Sequence, residues 1–408
     1  MKLAVISDSH LGHGYGTELQ EDSFVQFEEA LDSAIAEKAD LILLPGDIFD
    51  TRTPRQEVWA RALNIFQKPL LAEKNHTKLE GFAGEPRQVS PMVLKGVPVV
   101  AIHGTHERRS ENLVNPVELL EQSGHLIHLH KQAVVFEVGG HKLAIHGLSG
   151  IPERDVKKEL QEWNPRPVPD AYNIFVFHQS TNEEIYDPEN TFLSLEDLPK
   201  GFDFYIDGHI HWAKYIPEKK FLLPGSTVIT QKKQKESTQG KGFYMIEVDM
   251  NSARKTETRF VPLKKQRKFF FKEFEFTKAR SDEVNEKINS YLSLLKPEGK
   301  PLVRIKLTGI MDDGLSKSHL ELHDFSKYGC VLSVDNQLES TDFKSRLADL
   351  RKLQQAKMSV SELGMSLLAQ LLEKTDYKGL PPEQIIGPLA DGDIDFVMKK
   401  IEETKKAS

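Results

Sequence analysis

Five short apolar runs in the first 226 residues each end where an Asp- or His-bearing loop begins, and this repeat constrains the fold more than any other feature. Leu3–Ile6 runs into Asp8-Ser9-His10, Leu41–Leu44 into Gly46-Asp47, and Val99–Ile102 into Gly104-Thr105-His106-Glu107. Ile174–Phe177 precedes His178, and Phe204–Asp207 precedes Gly208-His209-Ile210-His211. Runs of this length, rich in β-branched and aromatic residues, predict buried strands. Strand ends that bring Asp and His to one sheet edge predict a polynuclear metal site. A lone Asp-x-His or His-x-His is more often structural than ligating, but packing does not explain five such patterns in series.

Helical spacing alternates with these strands. Phe24, Phe27, Leu31 and Ile35 fall on one helix face after the first strand, as do Trp59, Leu63 and Phe66 after the second. Such alternation predicts an α/β domain with helices over a sheet. Val134–Val138, Gly139-Gly140 and His141–His146 predict a hairpin, so the sheets should be mixed, as in a two-sheet sandwich flanked by helices. That domain is expected over residues 1–262. Residues 263–336 predict a small α+β domain: a strand at Phe269–Phe276, a helix with Val284, Ile288, Tyr291, Leu292 and Leu295, and a strand at Leu302–Leu307. A weaker helix at Leu315–Phe325 and a strand at Cys330–Val334 should complete it. The run Lys264–Lys268 is expected to be a connecting segment, and residues 337–357 a charged linker. Residues 358–408 predict C-terminal helices, the first with Leu363, Leu367, Leu368, Leu371 and Leu372 on one face.

Composition narrows the function classes. A length of 408 residues exceeds a single core. No apolar run approaches the roughly 20 residues of a spanning helix, and the start Met-Lys-Leu-Ala-Val-Ile-Ser-Asp reads as no signal peptide, so a cytoplasmic, membrane-free protein is expected. One cysteine, Cys330, rules out an intrachain disulfide framework. With a net charge of −7, any nucleic-acid contact must come from local basic patches.

The residue types fit hydrolysis of an anionic ester. Two ions about 3.5–4 Å apart activate water and relieve charge on phosphorus. One carboxylate must bridge them, and Asp47 on its Gly46 turn is the candidate. Asp8 and His10, at i and i+2, should project to one side of an extended segment and share an ion, and His209 and His211 should repeat that geometry. Mixed carboxylate and imidazole donors suit Mn²⁺, Fe²⁺ or Zn²⁺ better than Mg²⁺ or Ca²⁺. The remaining histidines invite the plainer reading: His125, His128, His130, His141, His146, His319 and His323 should be structural, His103 a packing residue, and His13 a residue of the loop after His10, with substrate contact the lesser reading.

The order Asp-x-His, Gly-Asp, Gly-x-His-Glu, His, Gly-His-x-His resembles the calcineurin-like metallophosphoesterase superfamily. Ser7-Asp8-Ser9-His10-Leu11-Gly12, Gly46-Asp47-Ile48-Phe49-Asp50, Gly208–His211, Pro224-Gly225-Ser226 and Lys241–Tyr244 are similar to one branch, the SbcD-like double-strand-break repair nucleases that partner a coiled-coil ABC-type ATPase. The motifs cover residues 1–262; beyond them only the layout matches. The resemblance implies that Asp8, His10, Asp47 and His211 surround one ion, and that Asp47, His178 and His209 serve the other. His106 would stabilise the transition state or protonate the leaving oxygen, and Asp50 would lie beside the reacting phosphate. Where the family usually has a ligating Asn, this chain has Thr105, which predicts a weaker second ion. The resemblance further implies a Mn²⁺-dependent 3′–5′ exonuclease on duplex ends and single-strand endonuclease. It also implies a homodimer through helices of the catalytic domain, a DNA-contacting cap at 263–336, and docking of the C-terminal leucines on the ATPase.

DNA contact requires cations near the motifs. Arg52, Arg55, Arg108, Arg109, Lys232, Lys233 and Lys235 are the candidates. Two other functions remain open at this level: a small-substrate phosphoesterase or phosphatase on the same core, and a DNA-end scaffold with catalysis weakened at Thr105.

Overall fold

The computed structural model describes residues 1–110, 113–182, 193–251, 254–295 and 299–340, with scattered positions between 365 and 400. It divides into two compact units. The first comprises Met1–Lys272, Pro297–Arg304 and Gly329–Ser333; the second comprises Glu273–Lys296, Ile305–Tyr328 and Val334–Ser408.

In chain order the first unit contains β1 (Lys2–Val5), α1 (Asp22–Ala36), β2 (Leu41–Pro45), α2 (Gln56–Leu71), β3 (Lys78–Ala83), β4 (Val99–Ile102), α3 (Pro116–Gln122) and β5 (Ile127–His128). There follow β6 (Gln132–Val138), β7 (His141–Leu148), α4 (Val156–Trp163), β8 (Ala171–Phe177), β9 (Phe204–Asp207), β10 (Lys214–Ile216), β11 (Phe221–Leu223), α5 (Gln234–Thr238), β12 (Gly242–Asp249) and β13 (Lys255–Pro262). One sheet runs β13-β12-β1-β2-β4-β5 and the other β10-β11-β9-β8-β7-β6-β3, the expected two-sheet sandwich.

Why the strands read as unbroken apolar runs follows from this architecture. Parallel strands buried on both faces need apolar residues at every position. Leu3 and Val5 point between the sheets with Leu41, Leu43, Ile145, Ile174 and Ile206. Ala4 and Ile6 point the other way, with Ile42 and Leu44, against Phe27 and Leu31 of α1 and Phe66 of α2. On the far side of the second sheet, Phe175 and Phe177 pack with Val156 and Leu160 of α4. The parallel register Val5↔Leu43, Leu44↔Ala101 and Phe177↔Asp207 aligns the carboxyl ends of the motif-bearing strands within each sheet. The predicted hairpin is β6–β7, closed at Val138↔His141 around Gly139-Gly140.

β14 (Phe269–Ala279), α6 (Ser281–Leu295), β15 (Leu302–Met311) and β16 (Val331–Asn336) complete the described elements, with a three-stranded sheet ordered β14-β15-β16. The helix expected over Leu315–Phe325 is not formed. Only single 3-10 turns occur, at Lys317–His319 and Ser326–Tyr328. The buried Asn285 of α6 takes up the backbone there, donating to Glu321 O at 2.8 Å and accepting from His323 N at 2.8 Å, which a helix would forbid. Nor is Lys264–Lys268 a free connection. The amides of Lys264 and Lys265 each donate to the Glu29 carboxylate at 2.8 Å, and Arg267 forks onto Asp22, strapping the run to α1. Among the described residues no helix is long and apolar enough to cross a membrane.

Candidate metal centre

Asp8 and His10 follow β1, Asp47 and Asp50 follow β2, and Thr105 and His106 follow β4; His178 follows β8, and His209 and His211 follow β9. The first two loops are zipped together by backbone hydrogen bonds from Asp8 N to Gly46 O (3.2 Å), His10 N to Asp47 O (3.0 Å) and Leu11 N to Ile48 O (2.7 Å). Contrary to the extended geometry expected of them, Asp8, His10 and His209 adopt left-handed backbone conformations, with φ of 49°, 44° and 57°, and Asp47 on its Gly46 turn does the same with φ of 48°. That region is uncommon for residues with a Cβ and clusters at functional sites. Turning the chain sharply at each ligand brings side chains together that simple alternation along a strand would not.

Glycine makes the close approach of the loops possible. A Cβ on Gly104 would lie 2.1 Å from Asp47 Oδ1, and one on Gly208 would lie 2.1 Å from Pro45 O. Fully buried Glu107 then straps the second loop to the third, accepting from Phe49 N at 2.8 Å and Gly104 N at 2.9 Å.

Three overlapping sets result, each with donor atoms within 4.8 Å of one another: Asp8, His10 and His211; His10, Asp47 and His106; and Asp47, His178 and His209. His10 Nε2 lies 3.2 Å from His211 Nε2, and His211 Nε2 lies 3.6 Å from Asp8 Oδ1. His178 Nε2 lies 3.2 Å from Asp47 Oδ2, close enough for an ion pair but not aligned as a hydrogen bond. Asp8 Oδ1 and His178 Nε2 are therefore buried without hydrogen-bond partners, a state that costs free energy unless something else satisfies them. Carboxylate and imidazole donors with orphaned lone pairs fit divalent metal ions.

Outward-facing atoms of the same side chains are held. His10 Nδ1 is 3.1 Å from Asp50 Oδ1, His211 Nδ1 is 2.9 Å from Thr230 Oγ1, and His178 Nδ1 is 2.8 Å from Pro45 O. An Nδ1–H donated to the Asp50 carboxylate or the Pro45 carbonyl leaves Nε2 of the neutral His10 or His178 ring bare towards an ion, whereas the Thr230 hydroxyl can either donate to His211 or accept from it. His209 is engaged at Nε2 by Ser180 Oγ at 3.1 Å, which leaves Nδ1 as its free nitrogen. The sequence assigns no task to Glu107, Ser180 or Thr230; Glu107 is the last residue of the third motif, while the two hydroxyls carry no local signal.

Electrostatics follow from burial and proximity. Burial pushes the Asp8 carboxyl up to about 6, with His178 and Asp47 acting in opposite senses. Burial would also raise Asp47, but the His178 charge and contact hold it far below the usual carboxylate range. His178 shows the converse: burial disfavours its cation, yet Asp47 raises it to about 10. Burial drives His209 down to about 3 and His211 well below its ordinary value, so both are neutral and ready to donate a lone pair.

His106 stands at the exposed edge of the centre. Its amide donates to Asp47 Oδ1 at 2.8 Å, its Nδ1 meets Asp50 O at 2.9 Å, and its ring meets that of His10 edge-on. Thr105 Oγ1 is 3.4 Å from Asp47 Oδ2, the oxygen His178 faces. Asp50 Oδ1 also lies 3.4 Å from His13 Nδ1. His103 and His128 pair through ring nitrogens 3.0 Å apart in the interior.

The basic candidates separate into three places. Arg52, Arg108 and Arg109 line one cleft of about 630 Å³, whose lining also includes Lys131 and the acidic Glu118, Asp155 and Glu159. Arg55 instead stacks over Tyr15, 5.0 Å from the ring centre. Lys235 lies 4.2 Å over the Trp212 ring, on the segment that also carries Lys232 and Lys233. Leu363, Leu367 and Leu371 lie outside the described residues, while Leu368 and Leu372 pack on the buried Ile385.

A family model for calcineurin-like phosphoesterases matches residues 1–213. Together with the sandwich and its Asp/His centre, that match places the chain in the calcineurin-like phosphoesterase family. Its relatives are more particular. The chain is similar to the double-strand break repair protein MRE11 of Encephalitozoon cuniculi, 28% identical over 247 residues that make up 56% of this chain and 42% of that protein. It is 26% identical to the Caenorhabditis elegans double-strand break repair protein over 301 residues, 64% of this chain and 41% of that one. To mouse MRE11 it is 25% identical over 361 residues, 75% of this chain and 50% of that protein. The chain thus spans half or less of the length of these curated relatives.

Proposed function

We propose that this chain is a Mn²⁺-dependent DNA nuclease that processes double-strand breaks together with a coiled-coil ATPase. The observation that carries the reading is the paired donor sets around Asp47, with Asp8 Oδ1 and His178 Nε2 buried and unpartnered. Asp8, His10, Asp47 and His211 would hold one ion and Asp47, His178 and His209 the other, with Thr105 beside the second. Two bound ions supply Lewis acidity and water activation at neutral pH. The chain's own residues do the rest. Asp47, whose Oδ1 accepts from the His106 amide, is the shared carboxylate. Asp50 orients His10 through Nδ1, a positioning task alongside any contact with the phosphate. His106, held through Nδ1 by the Asp50 carbonyl, presents Nε2 at the solvent edge, where it can donate to the leaving oxygen.

Arg52, Arg108 and Arg109 in their shared cleft support an anionic polymer as substrate, and the break-repair names of the relatives support DNA. Arg55, Lys232, Lys233 and Lys235 would add backbone contacts. Residues 263–336 would serve as the DNA-contacting domain, and the helices of 358–408, with their leucines, as the ATPase-docking segment after the charged 337–357 linker. Exposed Leu113, Val114 and Leu119, on and before α3, support a homodimer through that helix. The enzyme would act on DNA ends by 3′–5′ exonucleolytic and single-strand endonucleolytic cleavage, in the cytoplasm beside the nucleoid. One observation favours a second reading, a DNA-end scaffold of weak activity: Thr105 offers the second ion set a hydroxyl in place of an amide oxygen.

The test is cleavage of end-labelled duplex DNA across a Mn²⁺ titration, with His106→Ala as control. Cleavage that falls about 10²–10⁴-fold in the control, with Mn²⁺ binding retained, is expected. No cleavage at any Mn²⁺ concentration, with or without the ATPase, would leave the scaffold.

A further inference from the structure

The loop that carries His211 lies between β9 and β10, outside any sheet ladder, yet its carbonyl is doubly held. Ser226 N donates to His211 O at 3.2 Å, and Lys241 Nζ donates to it at 3.0 Å. The same ammonium donates to Ser226 Oγ at 2.8 Å and to Glu236 Oε1 at 2.6 Å. Three N–H donors thus meet three separate acceptors, the full capacity of a lysine head group. Lys241 and Glu236 are each only 3% exposed, and Ser226 only 2%.

A buried ion pair gives little net stability compared with apolar residues of similar volume, so its presence asks for another reason. Its position supplies one. Lys241 immediately precedes β12, which pairs with β1 in the six-stranded sheet, whereas His211 follows β9 of the seven-stranded sheet. The ammonium therefore joins the two sheets directly behind a ring that faces His10. The 226–241 segment also supplies Thr230, whose hydroxyl meets His211 Nδ1 at 2.9 Å. Backbone and ring of His211 are both set by one stretch of chain, and Glu236, near the middle of α5, fastens that stretch to Lys241.

We infer that Lys241 is a positioning residue for His211, and that the buried Lys241–Glu236 pair locks the 226–241 segment onto the metal centre. The inference rests on the reading of the centre as a two-ion site and is independent of the substrate. Partners one step beyond a ligand typically change metal affinity 10–100-fold, which sets the expected scale.

The experiment is a Mn²⁺ titration of the full chain, followed by electron paramagnetic resonance, for the parent, Lys241→Met and the double variant Lys241→Met/Glu236→Gln. The double variant leaves no unpaired buried charge and so protects the test against simple misfolding. Tyr172→Phe, which removes the hydrogen bond to Thr256 at the opposite end of β8, serves as a control for general destabilisation. Two ions are expected in the parent and the control. In both Lys241 variants one ion should weaken by about 10–100-fold while the other stays within about threefold. Unchanged binding of both ions in a folded variant would overturn the assignment. So would parallel loss of both ions with melting temperature, or failure of both Lys241 variants to fold, because Lys241 would then be a general determinant of the fold. A parent that binds no Mn²⁺ would sink the two-ion reading itself, and this assignment with it.

Discussion

The Nε2 atoms of His10 and His211 face each other across 3.2 Å, one ring hung from each sheet of the sandwich. Asp50 and Thr230 meet the respective Nδ1 atoms, and the two inward nitrogens need a proton or a cation between them. A bound cation would take the place of that proton and tie the two sheets together, so the fold should hold more firmly with the cation than without it. Chelation should lower the melting temperature, and Mn²⁺ should restore it by an amount that grows with the logarithm of its concentration. In His211→Ala most of that gain should vanish. Identical melting curves with and without chelator would refute the relationship.

Thr105 makes a second prediction. Its hydroxyl sits 3.4 Å from the Asp47 oxygen that faces His178, where an amide oxygen would reach further into the site. Thr105→Asn should reduce the Mn²⁺ concentration for half-maximal cleavage by about tenfold. An unchanged metal titration would show that the threonine is no handicap.

Histidines outside the centre should add to acid sensitivity. Burial pushes His128 down to about 3 and His130 down to about 4, from an ordinary 6.5. Below pH 6.5 the unfolded chain binds protons on these rings that the folded chain refuses, so stability is full above that pH and declines as pH falls towards 4. The slope is at most about 1.4 kcal/mol per pH unit for each ring. His128→Gln should flatten urea-unfolding stability between pH 6.5 and pH 5; an unaltered slope would assign the effect to other groups.

The C-terminal segment yields the fourth. Deleting residues 358–408 should leave Mn²⁺-dependent cleavage intact and abolish co-purification with a coiled-coil ATPase. Retention of the ATPase by the shortened chain would move the docking surface elsewhere.

Much of the sandwich is legible in the chain because doubly buried parallel strands must be apolar throughout, as Leu41–Leu44 and Ile174–Phe177 are. The candidate ligands are legible because each lies within four residues of such a run. What the sequence concealed depends on contacts distant along the chain. No local pattern announces that Asp8, His10, Asp47 and His209 turn left-handed, since that follows from loops pressed together at Gly104 and Gly208. Glu107, Thr230 and Ser180 acquire roles only when other loops arrive beside them. The missing helix at 315–325 has the same origin: Asn285, more than thirty residues earlier, claims its backbone.

Asp8, His10, Asp47 and His106 all precede β7, whereas His178, His209 and His211 all follow it. A cut in the chain between β7 and β8 would divide the Asp8–His10–His211 and Asp47–His178–His209 sets, leaving each fragment with part of a chelator. Binding of two ions would then be a property of neither piece, and its return on mixing would report that the two had found each other.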